Sequence, residues 1–273
     1  MKLKAILGTA SPIIGVVHLS PLIGYPQHRG YQQVLQKALQ DLRALDEGGV
    51  DGIIVENNYD LPHTIKVGAH TVSMMTLLAK EIVNNTTLPV GICVLWNDYQ
   101  AALAIAKSVS AKFVRVPVFV DSVLTDFGEI AADAKAVLAY RLSIGAEDIA
   151  IFTDIQVKHA RMLNPRAIGI SALEAIQDGS DAIIVTGRWT ADAPGLDKLQ
   201  AVRKAIGRFP LLAGSGVDAN NIRSILDIAD GAIVSTSLKS GINRPNERNI
   251  KPADEQIDLQ KVRQLMMTVK GIR

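Results

Sequence analysis

Charged side chains cluster at the end of one apolar run, residues 149–159, which reads Ile-Ala-Ile-Phe-Thr-Asp-Ile-Gln-Val-Lys-His. If the chain is extended here, alternate side chains share a face, so Asp154, Gln156 and Lys158 are predicted to lie together. A carboxylate and an ammonium group on one face shift each other's pKa and can exchange a proton with a substrate. The alternative is an ion pair with a purely structural role. His159 could bind a metal or a substrate or transfer protons, or it could be a hydrogen-bonded structural histidine.

Three further ionisable residues lie in, or at the end of, other apolar runs. Glu56 ends the run Gly-Ile-Ile-Val-Glu, where it could act as a general base or bind a divalent cation together with Asp154. A helix cap, or an ion pair with Arg115, is its structural alternative. Arg115 lies within Phe-Val-Arg-Val-Pro, where a buried cation requires an acidic partner or a substrate anion. His18 ends the run Ile-Ile-Gly-Val-Val-His, and substrate binding and a structural role are both open to it.

Polar residues also follow two more apolar runs. Asn97 and Asp98 come after Val-Gly-Ile-Cys-Val-Leu, and we predict a substrate contact for Asn97 and a helix cap for Asp98. Arg188 and Trp189 lie in the long segment 187–195, where a cation and a ring could close over a ligand.

Two clusters of small residues have the composition of a phosphate site. The clusters are Gly214, Ser215 and Gly216, and then Ser235, Thr236 and Ser237. Backbone N–H groups reach phosphate oxygens most easily where no Cβ stands in the way. Lys239 could add a positive charge. The alternative is two tight turns that bind no ligand.

These candidates occupy corresponding places in a unit that occurs eight times, a short β-branched run followed by an amphipathic helix. The predicted strands are Ile13–Leu19, Gly52–Glu56, Val90–Leu95, Phe113–Phe119, Ile149–Ile155, Ala182–Thr186, Leu211–Ala213 and Ala232–Ser235. Eight parallel strands with helical returns close into a (β/α)8 TIM barrel, an α/β fold whose active sites lie at the carboxyl ends of the strands. Many such barrels hold phosphate with the loops after strands seven and eight. We therefore predict one domain, residues 1–273, with these candidates at one mouth.

Composition argues against several classes of function. Lysine and arginine total 29 against 27 acidic residues, and only 4% of residues are aromatic, so nothing resembles a nucleic-acid-binding surface. No apolar run reaches the roughly 18 residues needed to cross a bilayer, and no signal sequence is recognisable. Cys93, the single cysteine, lies within an apolar run, which suits a reducing compartment. We expect a cytoplasmic protein without membrane insertion.

Several motifs together resemble the BtpA/SgcQ family. The motifs are Ile13-Ile-Gly-Val-Val-His-Leu, Gly49-Val-Asp-Gly-Ile-Ile-Val-Glu-Asn, Ala101-Ala-Leu-Ala-Ile-Ala, Val157-Lys-His-Ala, Ile183-Ile-Val-Thr-Gly, Gly214-Ser-Gly-Val and Asp230-Gly-Ala-Ile-Val-Ser-Thr-Ser-Leu-Lys. The resemblance covers nearly the whole chain and implies a barrel of the ribulose-phosphate-binding type. It implies little about chemistry, because the reaction of the family is poorly defined. Cyanobacterial members are associated with photosystem I biogenesis, and enterobacterial members lie among genes for sugar uptake and sugar-phosphate metabolism.

Two segments differ from the pattern of the photosynthetic branch. The chain has Leu95-Trp-Asn-Asp where that branch tends to have an arginine in place of Trp96, and it continues from Arg115 as Val116-Pro-Val-Phe-Val-Asp121. These differences favour the type found in sugar operons.

The leading hypothesis is an isomerase, epimerase, aldolase or lyase that acts on a small phosphorylated sugar or related metabolite. Asp154, Glu56 and Lys158 would supply acid–base catalysis, with Lys158 preferred as an acid or electrostatic group over a Schiff-base nucleophile. His18, Asn97, Arg115, His159 and Arg188 would bind the substrate, and the two small-residue clusters would bind its phosphate.

The rival hypothesis is a non-enzymatic assembly or stability factor that keeps the barrel. No cofactor is predicted. A divalent metal on Glu56 and Asp154 is an alternative that no cluster at metal-ligand spacing supports. A homo-oligomer is expected on general grounds alone.

Overall fold

The computed structural model describes residues 3–241 and 253–272. Its strands are β1 (Ile13–His18), β2 (Gly52–Glu56), β3 (Val90–Cys93), β4 (Phe113–Val116), β5 (Val123–Thr125), β6 (Gly128–Ile130), β7 (Ala150–Ile155), β8 (Ala160–Met162), β9 (Ala182–Thr186), β10 (Leu211–Gly214) and β11 (Gly231–Val234). Its helices are α1 (Leu3–Leu7), α2 (Tyr31–Gly48), α3 (Ala69–Asn84), α4 (Tyr99–Val109), α5 (Ala134–Ser143), α6 (Ile168–Gln177), α7 (Leu196–Ile206), α8 (Ile222–Leu226) and α9 (Leu259–Lys270), with a 3₁₀ turn at Thr236–Leu238.

Eight parallel strands close into a barrel in the order β1-β2-β3-β4-β7-β9-β10-β11, and β11 pairs again with β1. This confirms the predicted (β/α)8 barrel. Two strands, β3 and β4, end two or three residues earlier than predicted, and β1 and β11 end one residue earlier. The ladder of β4 stops before Pro117, which has no N–H to donate, and beyond β3 the N–H of Leu95 donates to the side-chain oxygen of Asn57 at 2.7 Å instead of to a strand. Within residues 3–241 and 253–272, no helix is both long and apolar enough to cross a membrane.

Alternation of side chains along the strands separates two apolar layers. One set packs against the helices, and the other fills the barrel interior, where the rings of Phe113 and Phe152 stack with centroids 4.6 Å apart. A Cβ at Gly91 would overlap the ring of Phe113, so the interior requires glycine there. Leu3 and Leu7 of α1 belong to the interior cluster and close the amino-terminal end of the barrel. The carboxyl end is the open mouth.

The helices begin and end where short polar residues and glycines satisfy the backbone. Asp98 caps α4 by accepting from the N–H of Ala101 at 3.0 Å, which confirms the predicted cap. Asp98 also accepts from the N–H of Val67 at 2.9 Å, so the same carboxylate fixes the loop that follows β2. At the other end of a helix, Gly49 stops α2 with φ 91°, a left-handed conformation that glycine adopts without strain.

A small antiparallel sheet lies over part of the mouth, and the sequence analysis did not predict it. Its strand order is β6-β5-β8, so it joins the segment after β4 to the segment after β7. The hydroxyl of Thr125 holds the β5–β6 turn, because it donates to the carbonyl of Gly128 at 2.8 Å and accepts from the N–H of Phe127 at 3.1 Å. The apolar side of this sheet packs around Trp96 and Val157 in a separate small cluster.

Candidate active site

A network of buried charges occupies the carboxyl end of the barrel interior. His18, Glu56, Arg115 and Asp154 come from β1, β2, β4 and β7, and each side chain is at least nine-tenths buried. Nε2 of His18 lies 3.4 Å from Oε1 of Glu56, and Nη1 of Arg115 lies 3.4 Å from Oε2 of the same carboxylate. The structure thus brings these four predicted residues together.

Asp154 lies below the cavity and does not line it. Nε of Arg115 donates to Oδ1 of Asp154, and Nη2 donates to Oδ2, both at 2.8 Å, so the pair is bidentate. Burial by itself would lower the pKa of Arg115, but the charge of Asp154 and the two hydrogen bonds raise it above its ordinary value. Asp154 therefore fixes the guanidinium, whose remaining side faces Glu56 and the cavity.

Glu56 is a carboxylate surrounded by donors. Burial would raise its pKa, but the hydrogen bond from His18 and the charges of Arg115 and Lys158 outweigh burial and keep the pKa well below its ordinary value. His18 differs, since burial and the charge of Lys239 lower its pKa to about 4. A neutral His18 with its proton on Nε2 donates to Glu56 and leaves Nδ1 to accept from the hydroxyl of Ser235 at 3.4 Å.

The prediction that Gln156 shares a face with Asp154 and Lys158 is wrong. The extended backbone ends at Ile155, and Gln156 has a left-handed φ of 47° that turns its side chain away from the mouth. Its amide donates to the carbonyl of Arg166 at 3.0 Å. After this turn Lys158 nevertheless returns to the mouth beside Glu56.

Lys158 is the least constrained cation of the site. Among residues 3–241 and 253–272, its ammonium group makes no hydrogen bond and no ion pair. Burial and the charge of Arg115 lower its pKa, and the charges of Glu56 and Asp154 only partly oppose this shift. An amine with a lowered pKa is partly available as a base or nucleophile.

A small polar compartment of about 50 Å³ lies on one side of Lys158. Five residues of the two predicted phosphate clusters line it, namely Ser215, Gly216, Ser235, Thr236 and Ser237. The sixth, Gly214, lies deeper in the barrel, where a Cβ would be 3.2 Å from Cγ2 of Thr186. Lys239 also lines this compartment and donates to the hydroxyl of Tyr59.

Gly216 gives the polar compartment its shape. Its φ of 56° is left-handed, and a Cβ would overlap the backbone nitrogen of Ala193. In the described part of the chain, the N–H groups of Gly216 and Val217 donate no hydrogen bond. Two backbone donors without an acceptor are what an anion in this compartment would use.

Three predicted substrate-binding residues differ in position. His159 lines a second compartment, and its Nε2 lies 2.8 Å from the hydroxyl of Thr190. Arg188 is exposed, with its guanidinium carbon 5.7 Å from the ring centre of Trp189, so the structure does not bring it to the cavity. Asn97 is also absent from the cavity wall, because its side chain makes two hydrogen bonds, at 2.8 and 2.9 Å, to the backbone of Val118.

The second compartment, about 120 Å³, contains residues that sequence reasoning missed. His63, Trp96 and Phe127 line it, and it shares Glu56 and Lys158 with the polar compartment. The only available signal was position, since His63 lies in the segment between the second strand and the next helix. Nothing in the sequence pattern showed that this segment and the β5–β6 turn meet.

The sequence matches the BtpA family over residues 9–271. This chain belongs to the BtpA family. It is similar to a photosystem I biogenesis protein BtpA of Synechocystis, with 42% identity over 85% of this chain and 81% of that protein. An uncharacterised protein of Archaeoglobus fulgidus is 38% identical over 95% of this chain and 98% of its own. The putative sgc region protein SgcQ of Escherichia coli is 30% identical over 87% and 89%. The predicted family is confirmed.

Solved structures with the same barrel share little sequence with this BtpA-family protein. N-(5'-phosphoribosyl)anthranilate isomerase of Pyrococcus furiosus has a TM-score of 0.57 at 14% identity, covering 96% of this chain and 99% of that one. (S)-3-O-geranylgeranylglyceryl phosphate synthase of Thermoplasma acidophilum, in complex with its substrate sn-glycerol-1-phosphate, has a TM-score of 0.61 at 14% identity, covering 98% and 97%. At this identity the likeness establishes the fold alone.

The site of this BtpA-family protein places three groups around one cavity: the fixed guanidinium of Arg115, the amine of Lys158 and the carboxylate of Glu56. Arg115 and Lys158 can both stabilise negative charge that develops on a bound oxygen. Glu56 is ionised at neutral pH and can orient a hydroxyl or accept a proton from a strong acid. Within the described residues, no three His, Cys, Asp or Glu side chains are grouped so as to hold a metal ion.

Proposed function

We propose that this BtpA-family protein is an enzyme that acts on a small phosphorylated sugar or related metabolite by proton transfer next to a carbonyl group. The observation that carries the proposal is Lys158, an amine with a lowered pKa and no partner in the described chain, facing a cavity that Glu56 and Arg115 also line. Groups with perturbed pKa values in a cavity are characteristic of catalytic sites.

Isomerisation, epimerisation and aldol cleavage share one requirement. Each forms an electron-rich oxygen next to the carbon that gains or loses a proton or a carbon substituent. In the proposed site Arg115 stabilises that oxygen, and Lys158 takes a proton from the substrate and returns it. In the alternative route the neutral amine of Lys158 attacks the carbonyl carbon, the carbonyl oxygen leaves as water, and the nitrogen of the resulting imine accepts the electron pair in place of the oxygen. Glu56 binds a substrate hydroxyl, and its negative charge favours the protonated form of Lys158. Asp154 takes the role of a positioning residue for Arg115, because its two oxygens are already occupied.

The phosphate of the substrate would bind in the polar compartment. Gly216 and Val217, whose N–H groups donate no hydrogen bond within the described residues, line the same small volume as Ser235 and Thr236. The loops after the last two barrel strands supply these groups, which is a frequent phosphate position in this fold. The synthase of Thermoplasma acidophilum, a barrel of similar fold, binds the phosphorylated substrate sn-glycerol-1-phosphate.

Thermal stabilisation by a panel of sugar phosphates, the corresponding free sugars and inorganic phosphate tests the proposal. A ligand at about 100 times its Kd adds about 2.7 kcal/mol, or about 5 °C in Tm for a chain of this size. Thr236→Asp places a negative charge in the polar compartment and should abolish the shift. Thr236→Asn is the matched control, because it has nearly the same shape without the charge and should retain most of the shift.

A second candidate function is the assembly or stability role suggested by the name of the Synechocystis relative, which is 42% identical. This candidate requires no turnover and no phosphorylated ligand. A folded sample whose Tm responds to none of the phosphorylated compounds would overturn the enzyme proposal and favour this role. If a phosphorylated compound raises the Tm of wild type and of Thr236→Asp equally, its phosphate does not bind in the polar compartment.

A further inference from the structure

The second compartment is larger and less polar than the one proposed for phosphate. Leu61, Leu95, Trp96, Phe127 and Val157 supply its apolar wall. Lys158 and Arg115 border both compartments, so a single ligand can extend from one to the other past the reactive groups. The rest of its wall is polar and includes Glu56, Asp126 and His159. Proton transfer at Lys158 does not explain the apolar part of this wall.

His63 is a polar side chain without a partner in this apolar wall. It is only 8% exposed, and neither ring nitrogen makes a hydrogen bond within residues 3–241 and 253–272. Nδ1 is enclosed by protein. Nε2 is not enclosed, so it is the nitrogen that remains open to the compartment.

The state of the His63 ring follows from its burial. Burial lowers the pKa of His63 to about 4, against a weaker opposing effect of the Glu56 charge, so the ring is neutral at neutral pH. With the proton on Nε2, the enclosed Nδ1 is a bare acceptor, and no N–H donor is buried without a partner. His63 then presents one uncharged donor to whatever fills the compartment.

Size and wall geometry both fit a ring. The volume of about 120 Å³ is close to that of an apolar cavity of about 150 Å³ that binds benzene in another protein. The rings of His63 and Phe127 meet edge to face with centroids 5.2 Å apart, and Trp96 lies in the same wall. An aromatic guest can stack on such rings or meet them edge to face and gains attraction beyond area burial, which a saturated guest does not gain.

We propose that this compartment binds a single flat aromatic or heteroaromatic ring that carries a hydrogen-bond acceptor for Nε2 of His63. The inference rests on the proposed function in one respect, since it makes this ring the second half of the phosphorylated substrate. The reacting bond would then lie between ring and phosphate, beside Lys158.

Benzamide tests the compartment independently of phosphate, because it is one planar ring with a carbonyl acceptor. NMR titration of the full chain should show saturable binding, and cyclohexanecarboxamide, which has the same amide on a non-planar ring, should bind at least about fivefold more weakly. His63→Phe keeps a ring but removes the donor, and should raise the Kd of benzamide about fivefold. His70→Phe is the control, because it makes the same change at an exposed histidine and should leave the Kd unchanged.

A second variant keeps the test decisive if His63→Phe does not fold. Phe127→Leu changes a partly exposed turn residue, removes one aromatic wall and should also weaken benzamide binding. Saturating inorganic phosphate should leave the Kd of benzamide unchanged, because the two ligands occupy different compartments.

The outcomes separate the two proposals. No saturable binding of benzamide, equal binding of the two amides, or displacement of benzamide by phosphate overturns the ring compartment even if sugar phosphates stabilise the protein. Benzamide binding that depends on His63, without any response to phosphorylated compounds, supports the ring compartment and overturns the phosphorylated substrate.

Discussion

Removal of one charge from the Arg115–Asp154 pair is expected to destabilise the protein far more than the same change at its surface. The Asp154 side chain is 0% exposed and that of Arg115 is 9% exposed, and two hydrogen bonds of 2.8 Å join them. Breaking a buried pair typically costs about 3–5 kcal/mol, because the remaining charge loses its partner in a medium of low polarity. Glu56 still lies 3.4 Å from Nη1 of Arg115. We therefore expect Asp154→Asn to cost about 3 kcal/mol.

The Lys107–Asp148 pair provides the matched control. Its atoms are 2.7 Å apart, but the two side chains are 41% and 68% exposed, so water screens the charges. Asp148→Asn should cost about 0.5 kcal/mol or less. Urea denaturation at pH 7 measures both, and the buried variant should also lose about 5 °C in Tm.

A similar loss in both variants would refute the argument that burial sets the energy of the Arg115 pair. A fully stable Asp154→Asn protein without turnover would refute the positioning role and return Asp154 to the list of proton-transfer groups. Combining Arg115→Met with Asp154→Leu gives a further check. Because two apolar residues replace both charges, the double variant should lose less stability than the sum of the two single changes.

Three other changes have defined outcomes. The pKa of His63 falls from 6.5 to about 4 on folding, so between these pH values the unfolded chain binds a proton that the folded chain does not. The free energy of unfolding should therefore decrease as the pH falls from about 6.5 to 4, by about 1.4 kcal/mol per pH unit for this group. Urea denaturation across this range should show a shallower dependence of stability on pH in His63→Phe. Gly216→Ala should lower the Tm much more than Gly145→Ala, since both glycines have φ near 60° but only the first has backbone where a Cβ would lie; equal losses would mean that the conformation alone decides. Borohydride reduction with a carbonyl-containing sugar phosphate should add the ligand mass less one oxygen atom to the wild type if Lys158 is the nucleophile, because the carbonyl oxygen leaves as water before the imine is reduced. Lys158→Arg should gain no mass, and an adduct on both proteins would place the reactive amine elsewhere.

The barrel could be predicted because strand and helix periodicity are local properties of the sequence. The positions of Glu56 and Arg115 were accessible for a related reason. A charged side chain at the end of an apolar strand has no stable place in the helix layer, so it must point into the mouth. This argument also brought His18 to the site.

The other side-chain positions in the site could not be predicted, because they depend on contacts between segments that are distant in the chain. Gln156 leaves the predicted face because the backbone turns left-handed there, and its amide finds a partner at the carbonyl of Arg166. Asn97 is held by the backbone of Val118, which no spacing rule relates to it. His63 and Phe127 become neighbours only through the folding of two loops. Loop geometry of this kind is set by tertiary structure and leaves no periodic signal in the sequence.

The small sheet over the mouth makes the ring compartment depend on two different loops. Its strands β5 and β6 follow the fourth barrel strand and β8 follows the fifth, so backbone hydrogen bonds join the two loops in one sheet. A residue inserted within one of these strands would shift its pairing register and turn the side chains that follow in that strand to the opposite face. Ligand preference in this half of the site would therefore change through coordinated pairs of substitutions and not through lengthening of one loop. An engineer who wishes to graft a new specificity would have to transplant both segments together.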